Sequence, residues 1–188
     1  MLRKTTATLS LSLSTLLVCN SALSESLDTS LSNDSVRLQY ATSLQRNDLN
    51  LSADFLHHED DGDLGGIGLF INGGSKAALG LRKGGVGGKF IYFNNSSTNG
   101  AALALGGFLR HTLAAANLIS LRGDLYYAPG VVTFNDADRY FEISVRIEYK
   151  LMDRADIFAG IRKLEIGLDK AGDADVDKGA FAGLVMHF

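Results

Sequence analysis

The sequence predicts an all-β, antiparallel up-and-down transmembrane β-barrel. Three observations carry that prediction. The N-terminus has the form of an export leader, the remainder alternates apolar and polar residues with period two, and the last stretch, "KGAFAGLVMHF", places apolar residues at every second position up to Phe188.

Residues 1–24 begin with Arg3 and Lys4, continue through the apolar and hydroxyl run "TATLSLSLSTLLVC", and close on small residues at Ala22 and Ser24. This is the three-part plan of a secretory signal peptide, with cleavage predicted after Ser24 and a single domain over 25–188. Cys19 leaves with the leader, and bulky Val18 before it speaks against lipid attachment there. Losing Arg3 and Lys4 takes the formal charge from −3 to −5, which argues against nucleic acid as a partner. After residue 24 no apolar run reaches the roughly 18 to 20 residues that a membrane-spanning helix requires.

Alternation then recurs in order along the chain. In 35–44 Val36, Leu38, Tyr40 and Leu44 stand against Arg37, Gln39 and Ser43. In 49–55 Leu49, Leu51, Ala53 and Phe55 stand against Asn50, Ser52 and Asp54. Shorter patterns fall at 64–72, 76–82 and 155–161. Leu103, Leu105 and Leu109 oppose Ala102, Ala104, Phe108 and Arg110, and Ile119, Leu121, Leu125 and Tyr127 oppose Ser120, Arg122, Asp124 and Tyr126. The clearest stretch is 140–151, where Phe141, Ile143, Val145, Ile147, Tyr149 and Leu151 share one face and Tyr140, Glu142, Ser144, Arg146, Glu148 and Lys150 the other.

A soluble sandwich would turn such apolar faces toward a shared core. Segments of about ten residues, aromatics near their ends and the leader favour lipid instead. Connections such as "EDDGD", "NNSSTNG" and "DKAGDADVDK" alternate with shorter ones, so long polar loops are expected outside and short turns on the periplasmic side. Phe55, Tyr127 and Phe141 then mark the outer interface, and Tyr149 and Phe188 the inner one.

Eight strands are expected between 48 and 188, and an even number is required, so 35–44 would lie outside the ring. The alternative is ten, obtained by breaking 76–94 at "KGGVGG", where the apolar phase changes from Leu79 and Leu81 to Phe90 and Tyr92. In the eight-strand reading those glycines form a bulge, and a second phase slip between Ile161 and Leu164 is read as another.

The motifs "FLHHEDDGDLGGIGLF" (55–70), "GGKFIYF" (87–93), "LRGDLYYAPG" (121–130) and the ending "GLVMHF" resemble the YfaZ family of small outer-membrane proteins. That resemblance implies a Gram-negative outer-membrane barrel, and it brings no activity, cofactor or ligand. Its similarity to outer-membrane proteins in general implies that Leu184, Met186 and Phe188 act as an insertion signal for the assembly machinery.

The predicted inward face gathers Arg110, Arg122, Arg146, Lys150 and Arg162 against Asp54, Asp124, Glu142, Glu148 and Asp156, a balanced set that is expected to plug the lumen with salt bridges. A narrow channel is the alternative. "HHEDDGD" supplies His57, His58, Asp60, Asp61 and Asp63 as weak metal candidates, or as the rim of a lipid A-modifying enzyme, but contiguous loop carboxylates seldom converge on an ion. A solvated loop, no cofactor and no catalysis are the expectation. Glu59, Asp60, Asp61, Asp63, Asp136, Asp138, Asp173, Asp175 and Asp177 could together form an acidic rim that meets lipopolysaccharide phosphates through divalent cations. His111 and His187 are placed near the periplasmic interface, and the glycine clusters at 65–68 and 84–88 lack the helix and lysine spacing of a phosphate loop. The expected role is structural, adhesive or in envelope maintenance, with outer-membrane lipid and lipopolysaccharide as partners.

Overall fold

The computed structural model describes residues 25–44, 48–59, 62–77, 80–95, 98–168 and 172–188. The predicted leader, with Cys19, lies outside them. Ten antiparallel strands close into a ring: β1 (Glu25–Leu31), β2 (Ser35–Leu44), β3 (Leu49–His58), β4 (Gly62–Ala77), β5 (Gly80–Asn94), β6 (Asn99–Leu113), β7 (Ile119–Ala128), β9 (Ala137–Met152), β10 (Ala155–Leu168) and β11 (Gly172–His187). A three-residue strand, β8 (Thr133–Asn135), follows a single 3-10 turn and takes over the pairing with β6 where β7 has ended. The ring is sealed by β1 against β11, from Ser26 opposite His187 to Leu31 opposite Ala182. Closure pairs each strand of the ring with a neighbour on both sides, which is the condition for non-helical backbone to cross hydrocarbon. Among the described residues no helix is long and apolar enough to cross a membrane.

The greasy faces point out. Ile67, Val86, Leu105, Ile147 and Ile161 are 59–70% exposed, while their strand neighbours Gly66, Gly68, Gly85, Ala104, Arg146, Glu148 and Arg162 turn inward. So large an unbroken apolar surface has no place in water. It rules out the sandwich, in which these side chains would be buried between sheets.

Ten strands replace the eight expected, and the extra two come from an unexpected place. Residues 35–44 are β2, inside the ring, and "ESLDTSL" forms β1, whose Leu27 and Leu31 are its only large apolar residues. The alternative count of ten was right in number and wrong in route. β5 runs through "KGGVGG" with no register shift against β4 or β6, so the glycines are neither a break nor a bulge. From Val86 to Tyr92 the even positions face outward without interruption. Leu79 and the side chain of Leu81, on which the predicted phase change depends, lie outside the description. The second slip is also reassigned: β10 keeps one phase from Asp156 to Ile166, and the irregularity lies on β11, where Val176 is passed over between the pairs Leu164–Asp177 and Glu165–Asp175. Leu164 breaks the expected pattern because the lumen itself is apolar at that level.

Glu25 and Phe188 lie at one end of the barrel, with the connections 114–118 and 153–154. The far end carries 32–34 and 129–136. Strong alternation of long and short loops is not seen. Several polar stretches expected to be loops instead prolong the strands, and only 129–136 stands out.

Candidate functional site: a two-compartment lumen

The inward side chains form two compartments. Toward the far end Leu56, Leu64, Ile91, Tyr140, Leu164 and Ile166 are at most 2% exposed and pack into one apolar cluster with Phe93, Ala102, Ala128, Ala137 and Val176. This cap was not expected, because the polar-in rule for barrels places hydrophilic residues on that face.

Beneath the cap lies a charged centre. Glu142 on β9 accepts hydrogen bonds from Arg37 on β2 at 2.6 Å, from Lys89 on β5 at 3.2 Å and from the Tyr140 hydroxyl at 2.6 Å. Asp54 on β3 faces the same two cations, 3.3 Å from Arg37 and 3.2 Å from Lys89. Gly66 on β4 makes room for them, since a Cβ there would stand 2.7 Å from Asp54 Oδ1 and 2.8 Å from Lys89 Cε. Two carboxylates and two cations thus compensate one another across four strands. Buried pairing of this kind roughly offsets its desolvation and mainly fixes geometry.

Toward the terminal end a second set follows. Arg146 donates to Asp28 at 2.5 Å and to Glu148 at 2.9 Å, and Arg110 bonds Glu148 and, at 3.2 Å, Asp156. His187 meets the same Asp156 at 3.1 Å. Arg122 pairs with Asp124 at 2.8 Å, and Ser144 donates to that carboxylate at 3.3 Å. Nearer the cap Arg162 bonds Asp177, which also accepts from Ser35 at 2.8 Å and Ser32 at 3.2 Å. Three guanidiniums stack on rings, Arg146 on Phe158 at 4.2 Å, Arg122 on Phe108 at 4.6 Å and Arg162 on Phe181 at 4.8 Å. A cavity of about 120 Å³ remains between Arg110, Arg146 and His187 at the terminal mouth.

Nine of the predicted lumen residues occupy the interior: Asp54, Arg110, Arg122, Asp124, Glu142, Arg146, Glu148, Asp156 and Arg162. Lys150 does not join them. It lies at the terminal rim, half exposed, bonded at 2.8 Å to Asp153 in the adjacent turn, and the Lys150 ammonium holds that carboxyl below its usual range. Sequence reasoning left Asp28, Arg37, Lys89 and Asp177 out of this set, and it placed Tyr140 on the inward face without giving it a role. Arg37 was visible on the polar face of 35–44, a segment placed outside the ring, and Lys89 was hidden between glycines and aromatics. Asp177 is no rim residue, because it points inward and is 3% exposed.

His57 Nδ1 lies 2.7 Å from Asp63 on the outer surface of β3 and β4, with both side chains more than half exposed. Asp60 and Asp61 lie outside the described residues, and among those described no three potential ligands converge on a metal. His111 is outward-facing near the terminal end.

The model of one protein family, described as "YfaZ precursor", matches residues 4–188. The chain is 34% identical over 142 residues to the Escherichia coli (strain K12) protein named "Outer membrane protein YfaZ", an alignment that covers 74% of this chain and 75% of the relative.

Proposed function

The chain belongs to the YfaZ family and is an outer-membrane β-barrel protein, and from that premise we propose that it is a closed, non-conducting barrel that serves the envelope structurally. The observation that carries this reading is the apolar cap. Six side chains from five strands fill the bore at one level with almost no exposure, so water and ions have no continuous path past them. The charges beneath, six cations against seven carboxylates, pair into a rigid filling and present no ring of one sign to select a solute. The proposal includes no catalysis: the His57–Asp63 pair lies exposed on the outer surface of β3 and β4, as a solvated surface contact does.

In the proposed orientation the termini face the periplasm, supported by the placement of the longest connection, 129–136, at the far end. Lipopolysaccharide is the proposed lipid partner there. Arg139 and Lys163 flank Glu165 on the outward phase of β9 and β10, directly above the apolar belt at Phe141 and Ile161.

Planar bilayers test the reading. Purified, folded protein should give no reproducible conductance steps; steps that change when Arg146 or Glu142 is neutralised would establish a channel. Lipid A masses should be the same with and without the protein, and a mass change abolished by His57→Ala or His58→Ala would establish a rim enzyme instead.

A further inference from the structure

We propose that the terminal mouth of the barrel is a binding site for a sugar-sized, hydroxyl-rich organic acid, of the chemistry of a uronate. The mouth holds an open cavity of about 690 Å³, within the range of about 300–1,000 Å³ typical of small-ligand sites. It goes beyond the closed-barrel reading and is independent of it, because the cavity lies on the terminal side of the cap.

The glycine clusters that serve no phosphate loop create this space. Where β4 runs past the start of β3, Gly73 pairs with Gly84 and Gly74 with Lys83, so three glycines line the mouth between Asn72 and Lys83. Gly85 faces inward, and a Cβ there would stand 2.6 Å from the Phe108 ring, so glycine lets that ring lie along the cavity. Phe108 is held from another side by the Arg122 guanidinium at 4.6 Å, a fixed apolar surface suited to the C–H face of a pyranose.

Around it stand the polar groups a sugar acid needs. Asn72 is anchored by its backbone N–H to the Asp48 carbonyl at 2.8 Å, yet its side-chain oxygen is buried and has no hydrogen-bond partner. A buried acceptor left unpaired is costly, and turning the Asn72 side chain away from Gly85 toward the cavity it lines would let a ligand hydroxyl satisfy it. The Asn50 amide, steadied by its own bond to the Asp48 carbonyl at 3.0 Å, and the Ser43 hydroxyl line the same space. The carboxylate falls to Lys83, an exposed residue of the cavity wall, and is kept from the side where Asp48 lines the same space. Arg110 is already engaged by Glu148 and Asp156, so it shapes the floor and adds little free charge.

The test uses the full-length barrel in a polyoxyethylene detergent, free of sugar headgroups, with glucuronate as the probe and glucose as its uncharged counterpart. Saturation-transfer NMR should detect glucuronate binding and a weaker glucose signal. Lys83→Gln should raise the glucuronate dissociation constant about tenfold and bring it near that of glucose, and Asn72→Ala should weaken both sugars. Heat-modifiable migration shows that each variant is folded, so loss of signal in a variant that keeps the wild-type shift supports the site. No transfer to glucuronate with folded wild-type protein, equal binding of both sugars, or binding untouched by both substitutions would each overturn the proposal.

Discussion

Glu142→Gln removes the carboxylate that Arg37, Lys89 and Tyr140 all address, while keeping the shape of the side chain. Breaking a buried ion pair by deleting one partner costs about 3–5 kcal/mol. Asp54 stays within 3.3 Å of both cations and retains part of their compensation, which places this change at the lower bound, about 3 kcal/mol. Equilibrium urea unfolding from lipid vesicles, followed by tyrosine fluorescence and gel mobility, reads the effect. With a slope of about 2 kcal/mol per molar urea, the midpoint should fall by about 1.5 M. Adding Lys89→Met removes one stranded cation, so the double variant should be more stable than Glu142→Gln alone. A single variant with the wild-type midpoint would refute the claim that these groups are desolvated and mutually compensated. A double variant less stable than the single one would refute the assignment of Lys89 as the stranded partner.

Leu164→Ala in the cap should cost about 2–5 kcal/mol in the same assay, because the side chain is fully buried and its neighbours come from strands that the ring holds apart. Gly160→Val should lower the midpoint as well, since its first added carbon would sit 2.7 Å from Arg146 Cβ and push β9 away from β10. Lys150→Ala removes only an exposed bridge to Asp153 and should leave the midpoint unchanged, which separates a rim charge from a lumen charge on the same strand face. Deleting Phe188 removes a backbone bond to the Glu25 carbonyl at the seam and the proposed insertion signal, so less protein should reach the membrane fraction in cells; normal insertion would reject that signal.

Much of the wall was legible because lipid and lumen impose opposite chemistry on alternate residues. Ile143, Val145 and Ile147 against Glu142, Arg146 and Glu148 can be read only one way. The errors fell where that contrast fades. β1 offers serine, threonine and aspartate beside two leucines, and short side chains of both classes do not declare a face. The cap reverses the inward code: Leu164, Ile166, Leu56 and Leu64 are apolar on a face expected to be polar, so a continuous strand looked like a phase slip. The glycines of β5 left no side chain from which to read a phase. Lys89, the partner of Glu142 and Asp54, was concealed among them.

The lumen contacts also explain why β9 carries so much of the sequence signal. Outside, its apolar residues face lipid, where exchange of one aliphatic side chain for another changes little burial. Inside, Glu142 reaches β2 and β5, Arg146 reaches β1, and Glu148 reaches β6, none of them a ladder neighbour of β9. Backbone ladders tie each strand only to its neighbours, whereas these bonds brace the ring across its bore. The cap keeps water away from one end of the braces and so strengthens them. A barrel braced in this way resists the flattening that would otherwise open gaps in the cap, so the charged centre and the apolar seal depend on each other. Substitutions of Glu142, Arg146 or Glu148 should therefore be felt around the whole ring, and those on the outward face of β9 only locally.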